Sequence, residues 1–109
     1  MTEKESKILQ EFMEATRPPE DIRAKLDVGF SYERHCIEMF EIRPDWKDES
    51  IIRHHPFARI RYVGTQKVWK LYWLRASGKW IAYSPYPVSR NLEKLLKVIE
   101  KDEYGCFGG

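Results

Sequence analysis

The chain has 109 residues, of which 42% are hydrophobic, 14% aromatic and 33% charged. This length suits one domain with one hydrophobic core, and the composition excludes an intrinsically disordered chain. The sequence contains no apolar run near the roughly 18 residues of a membrane span, and no signal-like apolar stretch follows its charged start. We therefore expect a single domain over residues 1–109, located in the cytoplasm and away from membranes.

The small net charge of +2 hides a strong asymmetry between the two halves of the chain. Residues 1–50 hold 8 Lys/Arg and 13 Asp/Glu, a net charge of −5, whereas residues 51–109 hold 11 and 4, a net charge of +7. From Ile51 to Leu92 there is no Asp or Glu at all. The sequence therefore predicts an electrically divided molecule whose second half attracts anionic partners.

A helix is predicted at the N-terminal end. Thr2 and Glu5 have the spacing of a capping box, and apolar residues then recur at helical spacing as far as about Thr16. Arg17-Pro18-Pro19 ends this helix, because proline lacks a backbone donor and disfavours helix at the preceding residue. A short turn follows, from which Ile22 is expected to point inward.

Two strands come next, because apolar and polar residues alternate from Leu26 to Glu33 and again from Cys36 to Ile42. Arg34-His35 between them is interpreted as a turn. The segment from Trp46 to His55 lacks a clean period and is interpreted as a loop.

Three more strands are predicted, at Phe57 to Val63, Lys67 to Arg75 and Lys79 to Tyr83. Their short connections favour adjacent antiparallel strands. The middle one of the three carries large apolar residues on both faces and is expected to be the central strand of the sheet.

The C-terminal helix is predicted to start between Ser89 and Asn91 and to cover one face of the sheet. Gly105 is expected to end the helical region, and Phe107 to dock into the core. The apolar stripe of this helix consists of Leu92, Leu95, Leu96 and Ile99. The fold class is therefore α+β: an antiparallel sheet of about five strands, a hairpin plus a three-strand meander, with an N-terminal and a C-terminal helix.

The acid-free segment interleaves cations with aromatic residues. This composition suits a surface on which bases stack on aromatic rings while cations hold phosphates. The predicted polyanion-binding residues are Arg59, Arg61, Lys70, Tyr72 and Arg75. The expected partner is nucleic acid or another polyanion, or an acidic protein. A protein-interaction or homo-oligomeric structural domain is the alternative, since such aromatics also fill cores and such cations also face solvent.

A third function left open is metal-independent RNA cleavage, in which His54 or His55 would act with neighbouring arginines. Adjacent histidines on an extended chain point in opposite directions. Together with His35, Cys36 and Cys106 they form no C-x-x-C or H-x-x-x-H pair, the spacing that a metal half-site normally shows in sequence. The sequence therefore indicates no metal site and no cofactor. The two distant cysteines are expected to be reduced thiols. Overall the residues favour a binding module over an enzyme.

Several segments of the chain together resemble a known family. They are Arg17-Pro18-Pro19 with Glu20 to Leu26, Phe40-Glu41-Ile42-Arg43-Pro44 with Trp46, Val68-Trp69-Lys70-Leu71-Tyr72-Trp73 with Arg75-Ala76, Lys79-Trp80, Tyr83, and Asp102-Glu103-Tyr104-Gly105-Cys106-Phe107. Over roughly residues 17–109 the chain resembles the bacterial family known as domain of unknown function 3024. The resemblance implies a bacterial-type, cytoplasmic, single-domain protein, and it brings no assigned activity, cofactor or catalytic residue.

Overall fold

The computed structural model of the chain describes residues 1–107, and the last two residues of the predicted tail, Gly108 and Gly109, lie outside them. A helix at each end packs on one face of a six-stranded antiparallel sheet. The elements in chain order are α1 (Glu3–Thr16), β1 (Asp27–Glu33), β2 (Cys36–Pro44), β3 (Ile52–Val63), β4 (Val68–Leu74), β5 (Trp80–Ala82), β6 (Val88–Ser89) and α2 (Leu92–Lys101). The predicted α+β class is confirmed, with β6 as a short additional strand.

The strands lie in the order β1-β2-β3-β4-β5, and β6 also pairs with β4. Every pair is antiparallel. β5 and β6 both lie along the edge of β4 that faces away from β3, with Tyr72 to Leu74 paired to β5 and Trp69-Lys70 paired to β6. β4 is therefore an interior strand, as its apolar residues on both faces indicate, but the middle position belongs to β3.

The prediction that β3 starts at Phe57 is wrong, because the strand begins at Ile52. The register shifts between Met39, which faces Ala58, and Phe40, which faces Pro56, so that Phe57 is an extra residue in β3. Such a β-bulge, together with the exposed residues before it, breaks the period of two on which the prediction depended.

The helices cover one face of the sheet, and their apolar stripes pack on it. Leu9 and Met13 of α1 and Leu92, Leu95, Leu96 and Ile99 of α2 are buried there. We call this side the covered face; its buried sheet residues are Ile37, Met39, Ala58, Ile60, Trp69 and Leu71. We call the other side the open face; its alternating residues are Cys36, Glu38, Arg59, Arg61, Lys70 and Tyr72.

The N-terminal helix is fixed at both ends. The capping box of Thr2 and Glu5 is present, and the Glu5 carboxylate also accepts a hydrogen bond from the buried Trp69 indole at 2.9 Å. After the helix ends, Arg17 donates two hydrogen bonds to Asp27, at 3.0 and 2.7 Å. Hydrogen bonding from Arg17, despite opposing desolvation, lowers the pKa of Asp27 to about 2.

The expectation that Ile22 points inward is wrong, since it is 43% exposed.

The C-terminal helix begins after Asn91, whose side chain caps it, and it ends at Lys101. Asp102, not Gly105, takes the left-handed conformation that ends the helix, with a φ of 42°. The Asp102 carboxylate accepts a hydrogen bond from the backbone N–H of Phe107, which is buried as predicted. In the described part of the chain, neither helix is long and apolar enough to cross a membrane.

Candidate functional site

The open face contains a concave site of about 410 Å³, which we call the arginine cleft. Residues from β2, β3, β4, β5 and the β1–β2 turn meet in it. Its lining residues are Arg34, Cys36, Arg59, Arg61, Tyr72 and Trp80. Clefts of this size, with aromatic walls and a few convergent polar groups, are the usual form of a ligand site.

Strand register places the side chains of the cleft. Residues directly opposite each other in antiparallel strands share a face of the sheet. Arg61 lies opposite Cys36, and Arg59 lies between Glu38 on one neighbouring strand and Tyr72 on the other. The side chains of three adjacent strands therefore converge on one side, and neither helix covers that side in residues 1–107.

Arg59 is held in place from two directions. Its Nε donates a hydrogen bond to Glu38 at 2.9 Å, and its guanidinium lies 4.3 Å from the centre of the Trp80 ring. A guanidinium stacked on an aromatic face keeps a fixed plane. Within residues 1–107 its terminal nitrogens make no hydrogen bond, so that they are free to donate to a ligand.

Arg34 and Arg61 supply the uncompensated positive charge of the arginine cleft. Neither has a carboxylate within ion-pair distance among residues 1–107. Arg34 sits in the β1–β2 turn, where it and His35 have φ angles of 51° and 64°. These are the angles of a type I′ turn, which normally favours Asn-Gly.

Cys36 contributes a neutral thiol to the cleft. Burial raises the pKa of Cys36 and outweighs the opposite effect of Arg59 and Arg61. The thiol is free of any disulfide, as is Cys106. At neutral pH this residue therefore cancels none of the positive charge.

The structure brings together three of the five residues predicted to bind a polyanion. Arg59, Arg61 and Tyr72 line the arginine cleft. Lys70 lies on the same face, directly opposite Arg61, but outside the lining. Arg75 follows the end of β4 and belongs to the turn before β5.

The two histidines considered for RNA cleavage do not line the cleft. His54 stacks on Phe40 with 4.4 Å between ring centres, and His55 lies opposite Glu41. As consecutive residues of β3 they project to opposite faces. RNA cleavage thus remains a prediction without a site that gathers its residues. Among residues 1–107 no three His, Cys, Asp or Glu side chains form a cluster able to hold a metal ion.

Sequence reasoning did not assign Arg34, Cys36 or Trp80 to the site. Cys36 could have been found, because the alternation of β2 places it on the same side as Glu38. Trp80 lies opposite Leu74 because of the register between β5 and β4, and this register brings its ring to Arg59. The short β5 contains no pattern from which that register could be predicted.

The fold and the cleft define the class of protein: a small α+β domain whose antiparallel sheet is covered by helices on one face and carries an arginine-lined cleft on the other. The model of one family, Domain of unknown function (DUF3024), matches residues 1–109. The chain belongs to this family, as the resemblance of its segments indicated. No curated protein and no solved structure matches the chain.

Proposed function

We propose that this protein is a cytoplasmic binding module that takes single-stranded nucleic acid on the open face of its sheet. The observation that carries the proposal is the arginine cleft itself. In it, Arg34 and Arg61 have no carboxylate partner in the described part of the chain, and Tyr72 and Trp80 present aromatic rings beside them. The free thiols of Cys36 and Cys106 fit a reducing compartment.

In such a site, aromatic and cationic side chains bind different parts of the nucleic acid. Aromatic rings stack on unpaired bases, a contact that tolerates any sequence, and arginines donate to phosphate oxygens. Each phosphate that is neutralised releases condensed counterions, so that binding weakens as salt rises. In the arginine cleft, Tyr72 and Trp80 would stack on a base, and Arg34, Arg59 and Arg61 would hold phosphate oxygens.

The small net charge of the chain does not argue against a basic site, because it is a sum over the whole molecule and several carboxylates of the acidic half are held in ion pairs. Asp27 pairs with Arg17, and Glu38 pairs with Arg59. Two further pairs lie around the β2–β3 connection, Glu41 with Arg43 and Asp45 with Arg53. Of the ion pairs that residues 1–107 form, only the Glu38 pair lies at the arginine cleft, which therefore keeps a net positive charge.

The test is a fluorescence-anisotropy titration of labelled single-stranded RNA and DNA at low salt. We expect saturable binding that weakens with salt, and a loss of about tenfold in affinity for Arg61→Gln. The matched control is Lys94→Gln, which removes the same charge from an exposed position of α2, on the other side of the sheet. Absence of binding at high protein concentration, or equal losses for both variants, would contradict the proposal.

A second candidate, homo-oligomerisation, is favoured by the far end of the β2–β3 pair. Pairing of β1 with β2 stops at Ile42 and pairing of β4 with β3 stops at Ala58, so that the last two residues of β2 and the first half of β3 extend as a short ribbon beyond these neighbours. Trp46, just after β2, is 84% exposed, and Ile51 and Ile52 at the start of β3 are exposed too. Exposed aromatic residues of this kind often anchor interfaces.

Light scattering over a range of protein concentrations tests this second candidate. It predicts a concentration-dependent rise in mass that Trp46→Ser abolishes, because the exposed indole is the largest apolar group at the ribbon end. A constant monomer mass for the wild-type chain would remove this candidate and leave the first untouched.

A further inference from the structure

We infer that the arginine cleft recognises a phosphomonoester dianion joined to a base, as found at the phosphorylated end of a strand or in a free mononucleotide. The inference rests on the proposed function and names the group that the same site takes. An internal phosphodiester, with a single negative charge, would be the weaker ligand.

The charge of the cleft matches a dianion. Glu38 compensates Arg59, and Cys36 is neutral, so that, among residues 1–107, Arg34 and Arg61 leave two positive charges uncompensated at the lining. Outside the lining, Lys70 lies opposite Arg61 and Glu33 lies opposite Cys36, which adds one positive and one negative charge at the rim. A phosphomonoester carries about 1.5 to 2 negative charges at neutral pH, and an internal phosphodiester carries about one.

The size of the cleft fits one nucleotide unit. Its volume of about 410 Å³ lies at the lower end of the range for small-molecule sites, roughly 300–1,000 Å³. Two aromatic rings, Tyr72 and Trp80, lie among the arginines instead of in a row along one strand. This arrangement suits a single base with its phosphate better than a run of stacked bases.

One of the donors, Arg59, is positioned before any ligand binds. Arg59 is oriented by Glu38 and Trp80, and its terminal nitrogens have no hydrogen-bond partner within residues 1–107. Guanidinium groups bind phosphate oxygens with two parallel hydrogen bonds, and a terminal phosphate offers three non-bridging oxygens for several such groups. Because the guanidinium of Arg59 is already fixed, little conformational entropy is lost on binding.

The backbone conformation of Arg34 is a second observation that supports recognition of a phosphate in the arginine cleft. With a φ of 51°, it occupies a backbone conformation that costs energy for a residue other than glycine or asparagine. Asparagine would suit this turn better, yet the chain has an arginine whose side chain reaches the arginine cleft. The contribution of the Arg34 guanidinium to the cleft explains why an arginine occupies this strained position.

The experiment compares one short single-stranded oligonucleotide with and without a 5′-phosphate, in equal salt. We expect the phosphorylated form to bind at least about tenfold more tightly. Adenosine monophosphate and adenosine then serve as competitors. Competition by adenosine monophosphate but not by adenosine identifies the free nucleotide as a ligand. If neither compound competes with the phosphorylated oligonucleotide, the site recognises the phosphate at the end of a strand. Both outcomes support the inference.

Two variants connect the preference to the cleft. Arg34→Asn removes one guanidinium while suiting the turn, so that the protein should fold at least as stably as the wild type and lose most of the preference for phosphate. Arg61→Lys keeps the charge but removes the paired donors, and should lower the preference by a smaller factor. Lys94→Gln, on the other side of the sheet, should leave it unchanged.

The outcomes separate this inference from the proposed function. If both oligonucleotides bind equally and Arg61→Gln weakens both, the cleft binds nucleic acid but does not select the dianion, and the inference fails alone. If neither oligonucleotide binds and the monophosphate does not bind either, both ideas fail together.

Discussion

The two faces of the sheet are built from alternate residues of the same strands, yet they differ in kind. On β4, Leu71 is fully buried beneath the helices, while its neighbour Tyr72 lies on the open face in a cleft with arginines. Burial of apolar area provides most of the stability of a domain, whereas a cluster of like charges provides none. Substitutions on the two faces are therefore expected to change stability and binding separately along one strand.

Core truncation should give the largest effect. Leu71→Ala is expected to lower the free energy of unfolding by about 2–5 kcal/mol, because a cavity remains under the helices. Tyr72→Ala, one residue away, should cost much less stability and weaken binding instead. Chemical denaturation of both variants measures this. Equal losses of stability would show that the open face also belongs to the core.

The polar link between α1 and the covered face should come next. Glu5→Ala leaves the buried Trp69 indole without its acceptor and removes half of the capping box, at a cost of about 2 kcal/mol. Glu5→Gln keeps an acceptor and a capping side chain, and should retain most of that stability. Thermal unfolding of the two variants compares them, and similar losses in both would mean that the bond to Trp69 contributes little.

Acid should give the smallest effect. Because the pKa of Asp27 is about 2, below its ordinary 3.8, its pair with Arg17 stabilises the fold fully above about pH 4. That contribution, about 1 kcal/mol after allowance for solvent contact, is lost as the pH falls towards 2. Asp27→Asn should remove this part of the acid dependence, whereas the exposed Glu20→Gln should not. The measurement is the free energy of unfolding at several pH values from 5 to 2. If that free energy depends on pH equally in Asp27→Asn and in the wild type, the pair is unimportant.

Much of the fold could be predicted because local signals agreed with the tertiary structure. The capping box at Thr2, the prolines after Arg17 and the leucine stripe of α2 each specify one element. The start of β3 could not be predicted, because the bulge at Phe57 and the exposed residues from Ile52 depend on pairing with β2. Ile22 was misplaced because nothing in a short turn indicates which side faces the core.

The candidate site was predictable where strand alternation sufficed and not where long-range register was needed. Arg59, Arg61 and Tyr72 follow from alternation within β3 and β4. Trp80 and Arg34 come to them from β5 and from a turn, through pairings that the sequence does not display. Their presence turns a generally basic face into a cleft of definite shape.

Nuclear magnetic resonance of the tryptophan indole N–H groups can locate ligand binding on one face of the sheet, because Trp69 lies on the covered face and Trp80 in the arginine cleft. During titration with a 5′-phosphorylated single-stranded oligonucleotide, we expect the Trp80 signal to shift progressively while the signal of Trp69, whose indole is hydrogen-bonded to Glu5, stays in place. A Trp80 signal that does not move while the oligonucleotide binds elsewhere, or a shift confined to Trp69 or Trp46, would contradict this expectation.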